Sequence, residues 1–140
     1  MSLAELANLL VESAPNARGA LLRANQPFDA ADLARSLQEM CYEVWTDDPP
    51  RVSVIVDVIN EVANDSGSDE VRAYADWMAA IKSLVAGELE ECIDWIESSE
   101  SRFNLHGKPH LAAKTQTSKI YALALLGRYD EAIECEQRAL

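Results

Sequence analysis

Apolar residues recur along this chain at intervals of three and four, the spacing of one face of an α-helix. Ser2 and Glu5 form a capping box ahead of a first helix, with Leu3, Leu6, Leu9 and Leu10 on one side. Pro15 opens a short second helix carrying Leu21 and Leu22. Asp29 caps a third, whose stripe is Leu33, Leu37, Met40, Cys41, Val44 and Trp45. Asp48 followed by Pro49 is the N-cap and first position of a fourth. The same grammar predicts helices from Asp69 to Ala86 behind Ser68, from Leu89 to Leu105, from Pro109 to Leu126, and from Tyr129 to Leu140.

One stretch is ambiguous. The Val-Ser-Val-Ile-Val-Asp-Val-Ile run from Val52 has β-propensity and reads as a buried strand in isolation. A lone strand among helices has no partner, however, and Val52, Ile55, Val56, Ile59, Val62 and Ala63 keep helical spacing. Helix is the expectation over Val52 to Ala63, and the fold class is all-α.

The chain also repeats itself. A shift of 40 residues lays Gly87 on Gly127, Glu91 on Glu131, Ile93 on Ile133 and Ala73 on Ala113. A second shift lays Val52 on Cys92, and Leu37, Cys41 and Val44 on Trp77, Ile81 and Leu84. Each unit is a helical hairpin with a glycine turn, then a small residue where two helices cross. Such pairs bury their faces by stacking. This gives an N-terminal cap over 1–28 and repeat units over 29–68, 69–108 and 109–140.

The run Leu125-Leu126-Gly127-Arg128-Tyr129-Asp130-Glu131-Ala132-Ile133, closing with Arg138-Ala139-Leu140, resembles the second half of a tetratricopeptide repeat (TPR). Gly127, Tyr129, Ala132 and Ala139 fall at that motif's signature positions, and Gly87, Leu89, Cys92 and Ile93 repeat them. Ile120 stands where the motif has glycine, Glu136 where it has an aromatic, and the period is 40 rather than 34. The longer unit, with the lead-in Gly19 to Pro27, resembles arrays N-terminal to caspase-like CHAT peptidase domains and in large bacterial signalling proteins. The resemblance implies a right-handed α-α superhelix whose concave groove takes a protein or peptide segment.

Charge and composition narrow the function. Of 140 residues, 24 are acidic and 12 basic, a net charge of −12, which opposes nucleic acid and anionic lipid. No apolar run approaches the roughly 20 residues of a membrane span. No basic leader segment precedes the first helix, and Cys41, Cys92 and Cys135 are unspaced for pairing, so the expectation is a cytoplasmic protein with reduced thiols.

Three clusters invite a chemical reading, and each has a plainer one. His106 and His110 straddle Gly107 and Pro109 with no third ligand at zinc spacing, which makes them a solvated loop. Glu88, Glu90, Glu91 and Asp94 sit at a helix start, where the macrodipole favours them. The cysteines lie on apolar stripes. No phosphate loop, nucleophile elbow or dinucleotide fingerprint is present. The expectation is therefore no catalysis, no metal and no cofactor. Recognition is the better prospect: Tyr74, Trp77 and Ile81 share one helix face, and Lys114, Thr117 and Tyr121 are their equivalents 40 residues on. The function expected is a scaffold or regulatory module binding a partner protein. The alternative is a structural element that self-associates, as a homodimer through the C-terminal helix bearing Ala132, Ile133, Cys135 and Ala139.

Overall fold

A computed structural model describes residues 1–139. Among these, eight α-helices follow one another: α1 (Leu3–Glu12), α2 (Arg18–Ala24), α3 (Ala30–Val44), α4 (Pro49–Ser66), α5 (Asp69–Val85), α6 (Leu89–Leu105), α7 (Pro109–Leu125) and α8 (Tyr129–Ala139). No strand occurs among the described residues. The Val52 stretch lies inside α4, with Val52, Ile55, Val56, Val58, Ile59, Val62 and Ala63 buried.

Sequence-local chemistry sets most of the boundaries. Ser2, Asp29 and Ser68 each accept a hydrogen bond from the backbone N–H three residues on, relieving one of the orphan donors of α1, α3 and α5. Asp48 precedes α4 as expected, but its side chain makes no cap bond. Pro15 opens a 3-10 turn, Pro15–Ala17, rather than the helix itself, and α2 starts at Arg18. The long helices end at glycines 20 residues apart. At Gly87 φ is +79°, and the Glu88 N–H donates back to the Ser83 carbonyl at 2.8 Å. Gly107 and Gly127 repeat the arrangement, with bonds from Lys108 to Phe103 and from Arg128 to Leu123. This closure places a residue in the left-handed region after the helix, where a side chain is strained.

Packing follows the chain order. Each helix from α3 to α8 packs on the next, and α1 lies on α3 and α4. The first helices of successive pairs also meet, α3 on α5 and α5 on α7. Cys41, Cys92 and Cys135 are buried free thiols. Arg18 ties the cap down: buried, it donates from Nε to the Leu10 carbonyl at 3.3 Å and reaches Glu61 on α4 at 3.4 Å. Leu140 lies outside the described residues. No helix of the described chain is long and apolar enough to cross a membrane.

Candidate functional site: a groove between α3, α5 and α7

The first helices of the pairs line a groove of about 640 Å3. Its α3 wall carries Arg35, Glu39, Tyr42 and Glu43, its α7 wall carries Leu111, Lys114 and Thr117, and Trp77 of α5 is its floor. Aromatic contacts fix that floor. Trp77 lies edge-on to Tyr42 at 5.7 Å and to Phe103 of α6 at 6.1 Å, and stacks beside Tyr74 at 6.2 Å. Such pairs hold ring positions as well as burying area.

The six residues expected from the sequence to share one face divide into two sets. Tyr74, Trp77 and Ile81 are buried between helices, whereas Lys114, Thr117 and Tyr121 are exposed on α7. Trp77, Lys114 and Thr117 come together at the groove. Tyr74 and Ile81 serve the core, and Tyr121 lies at the far end of α7 against Trp45, ring centres 6.2 Å apart. On α3, the repeat equivalents Leu37 and Cys41 are fully buried, and Gln38 and Tyr42 face the groove instead. The first unit is therefore rotated by about one position, a slip that matching apolar residues cannot reveal. The signal for it was the polar run Arg35, Gln38, Glu39, Tyr42, spaced by three and four.

The polar groups of the groove are unevenly satisfied. The Trp77 indole N–H is buried with no hydrogen-bond partner among the described residues, a costly state for a donor. Tyr42 is its polar neighbour: burial raises the Tyr42 pKa, and the indole N–H, which approaches the Tyr42 hydroxyl without reaching hydrogen-bond geometry, works against that rise. Lys114 makes no ion pair among the described residues, while Arg35 is held by Asp32 at 3.6 Å.

No family model, curated protein or solved structure matches this chain.

A second groove, about 470 Å3, separates α4 from α6 on the other side of α5. There the chain buries a carboxylate that sequence reading missed. Asp76 accepts from Ser98 Oγ at 2.7 Å and from Arg102 Nε at 3.0 Å. Burial raises its pKa, with Ser98 and Arg102 pulling the other way. The Arg102 guanidinium also pairs with Asp69, whose other oxygen meets His106 Nε2 at 2.7 Å. The His106 contact, with Arg102 beside it, lowers the Asp69 pKa. His106 lies in the exposed turn after α6, as expected, and its ring meets Asp69 there because the first position of α5 lies beside the end of its antiparallel neighbour. Every member of this network is paired, and it reads as a latch between α5 and α6. Two facing acids exposed at the start of α6, Glu88 and Glu91, raise the Glu91 pKa by their hydrogen bond and mutual repulsion. Among the described residues no three His, Cys, Asp or Glu side chains converge to hold a metal ion.

Proposed function

We propose that this chain is a non-catalytic protein-recognition module of TPR-like helix pairs, and that an extended peptide segment docks in the groove between α3, α5 and α7. The observation that carries the reading is the groove itself: an aromatic floor with Glu39 and Glu43 on one wall and, on the other, Lys114 with no ion pair among the described residues. Opposed walls of that kind orient a segment, placing a carboxylate of the ligand toward α7 and a basic side chain toward α3. With Tyr42 turned outward, a peptide carbonyl would reach the Trp77 N–H and supply its missing acceptor.

The packing supports the TPR-like reading. Successive first helices touch while a groove separates α4 from α6, as in an array that curves with its first helices inside. Placement in a larger bacterial signalling or CHAT-peptidase protein rests on the resemblance of the 40-residue unit and of the lead-in at residues 19–27. A reducing, cytoplasmic setting is supported by the three buried thiols, which would be inert there.

The test uses peptides enriched on the immobilised chain from a random display library. Titrated into labelled protein, they should shift the Trp77 indole N–H resonance, and Lys114→Glu should weaken them tenfold or more. Peptides that bind with the indole unmoved, or equally well to Lys114→Glu, would overturn the reading.

A further inference from the structure

The groove between α4 and α6 is built wholly within the chain, with α5 as its floor. That floor is low: Ala75, Ala79 and Ser83, four residues apart, face the opening from α5. The walls are the two neighbouring second helices, α4 with Val56 and Asn60, α6 with Trp95 and Ser98. Trp95 is 41% exposed, a large aromatic left half in water on its wall. Packed helices lie about 8–10 Å apart, nearest where the residues between them are small. A trough floored by alanines and walled by two helices therefore has the form of a seat for one further helix. An extended segment suits it poorly. Alanines cannot replace the water that its backbone groups would lose, whereas a helix bonds its own.

We propose that this groove docks an amphipathic helix of a partner protein, lying parallel to α4 and α6, with a basic residue near its N-terminus and an acidic residue three turns on. The charges at the two ends of the groove select that occupant. Where α5 gives way to α6, the facing acids Glu88 and Glu91 outnumber the one cation there, Lys82. At the opposite end Arg102 is taken up by Asp76 and Asp69. Arg72 is not: the amide oxygens of Asn60 at 3.1 Å and Asn64 at 2.8 Å hold it, and no carboxylate pairs with it among the described residues. One end thus carries surplus negative charge and the other surplus positive. A helix with its N-terminus toward Glu88 and Glu91 sets its macrodipole favourably against both.

The spacing of those charges fixes the sequence of the partner helix. α5 and α6 have 17 residues each and run antiparallel across a short turn, so height along the groove follows from a rise of about 1.5 Å per residue. Arg72 near the start of α5 and Glu91 near the start of α6 then stand about 16 Å apart along the groove, the rise of about 11 residues. An arginine at position i of the partner reaches Glu91 and lies over the Trp95 ring one turn below, joining a charge pair to a cation–π contact. A glutamate at i+11 reaches Arg72. Between them, i+4, i+7 and i+8 fall on Ala75 and Ala79 beside Trp95 and take small or slender apolar side chains. The groove holding Trp77 and Lys114 lies on the opposite side of α5, so the two sites are separate.

The probe is a displayed library of helical peptides of about 16 residues, with arginine fixed at i, glutamate at i+11, and i+4, i+7 and i+8 varied among alanine, serine, leucine and methionine. Titrated into the whole isotope-labelled chain, the selected peptides should shift the Trp95 indole N–H resonance and leave that of Trp77 in place. Ala79→Lys, at a half-buried position, stands a long side chain up from the floor. It should weaken binding tenfold or more with helical circular dichroism unchanged. Glu91→Lys, on the exposed rim, should weaken it at least fivefold, and a peptide with glutamate for its arginine should recover most of the loss. Lys114→Glu should change nothing. A library that yields no binder, binding indifferent to Ala79→Lys and Glu91→Lys, or a charge swap that recovers nothing overturns the proposal. Peptides that move Trp77 and are lost in Lys114→Glu overturn it too, while leaving the peptide groove standing.

Discussion

The Asp76–Arg102 latch yields an asymmetry that a simple count of ion pairs misses. The Asp76 side chain is 5% exposed, whereas that of Arg102 is 37% exposed and has Asp69 as a second partner. Removing the cation and removing the anion are therefore different perturbations. Arg102→Ala strands a carboxylate in a nearly dry site with only Ser98 as donor, and loss of one partner of a buried pair costs about 3–5 kcal/mol at the limit. Solvent at the Arg102 end discounts that to about 2–3 kcal/mol. Asp76→Ala removes the charge that burial penalises, which offsets most of the two charge-assisted hydrogen bonds it forfeits, and leaves Arg102 on Asp69, for a net cost of about 1 kcal/mol. At roughly 4 °C per kcal/mol for a chain of this size, the two melting temperatures should fall by about 10 °C and about 4 °C. The double variant should melt above Arg102→Ala alone, with a coupling of at least 1 kcal/mol.

The sign of the pH dependence follows from the raised Asp76 pKa. The folded chain takes up this proton before the unfolded chain does, so the stabilisation is fully present below the ordinary carboxylate pKa and is lost as pH rises through the folded value. Losing Arg102 raises that folded value further, so the penalty of Arg102→Ala should shrink on acidification from about pH 7 to about pH 5. Thermal melts of the four proteins at both pH values decide the matter. An Asp76→Ala cost equal to or above that of Arg102→Ala, or a coupling under about 0.5 kcal/mol, refutes the reasoning.

Ala132 is buried where α8 packs on α7, so Ala132→Leu should overpack the pair and cost about 1–3 kcal/mol in denaturant unfolding. A neutral effect there would place the repeat register wrongly. Gly87 has φ +79°, and a methyl added to its Cα would meet nothing within 4 Å, so Gly87→Ala should cost about 1 kcal/mol through backbone strain alone. Chemical unfolding that shows a much larger loss would mean a steric role instead. The Cys41 thiol is fully buried and burial pushes its pKa up to about 12, so thiol reagents near pH 8 should label it only after unfolding; rapid labelling of the native chain contradicts its place in the core.

Much of the helical order is written locally. Ser2, Asp29 and Ser68 fix helix starts through bonds to backbone three residues away, and Gly67, Gly87, Gly107 and Gly127 fix helix ends through a φ that other residues resist. These interactions span one turn and need no tertiary partner, so they are readable from the order of residues. The Val52 to Ala63 helix was legible for a different reason: its neighbours leave a strand nothing to pair with.

The groove was legible in part. Trp77, Lys114 and Thr117 stood out by their 40-residue equivalence, but that equivalence says which residues correspond, not which are covered. Covering depends on the next helix over. Tyr74 and Ile81 are lost to the core because Phe103 and α7 lie on them, whereas Lys114 stays open and Tyr121 stays half-open with only Trp45 against it. The one-position rotation of α3, which brings Tyr42 and Gln38 to the groove in place of Cys41 and Leu37, is likewise a packing result. So is the latch: Asp69 and Asp76 lie 33 and 26 residues from Arg102, and antiparallel packing of α5 on α6 alone brings them together. Where most of the helices begin and end is a contest between neighbouring groups, and the order of residues settles it. Which faces are buried, which carboxylate is dry and which aromatic is left open wait for the folded chain, because burial is a property of the distant residues that happen to arrive.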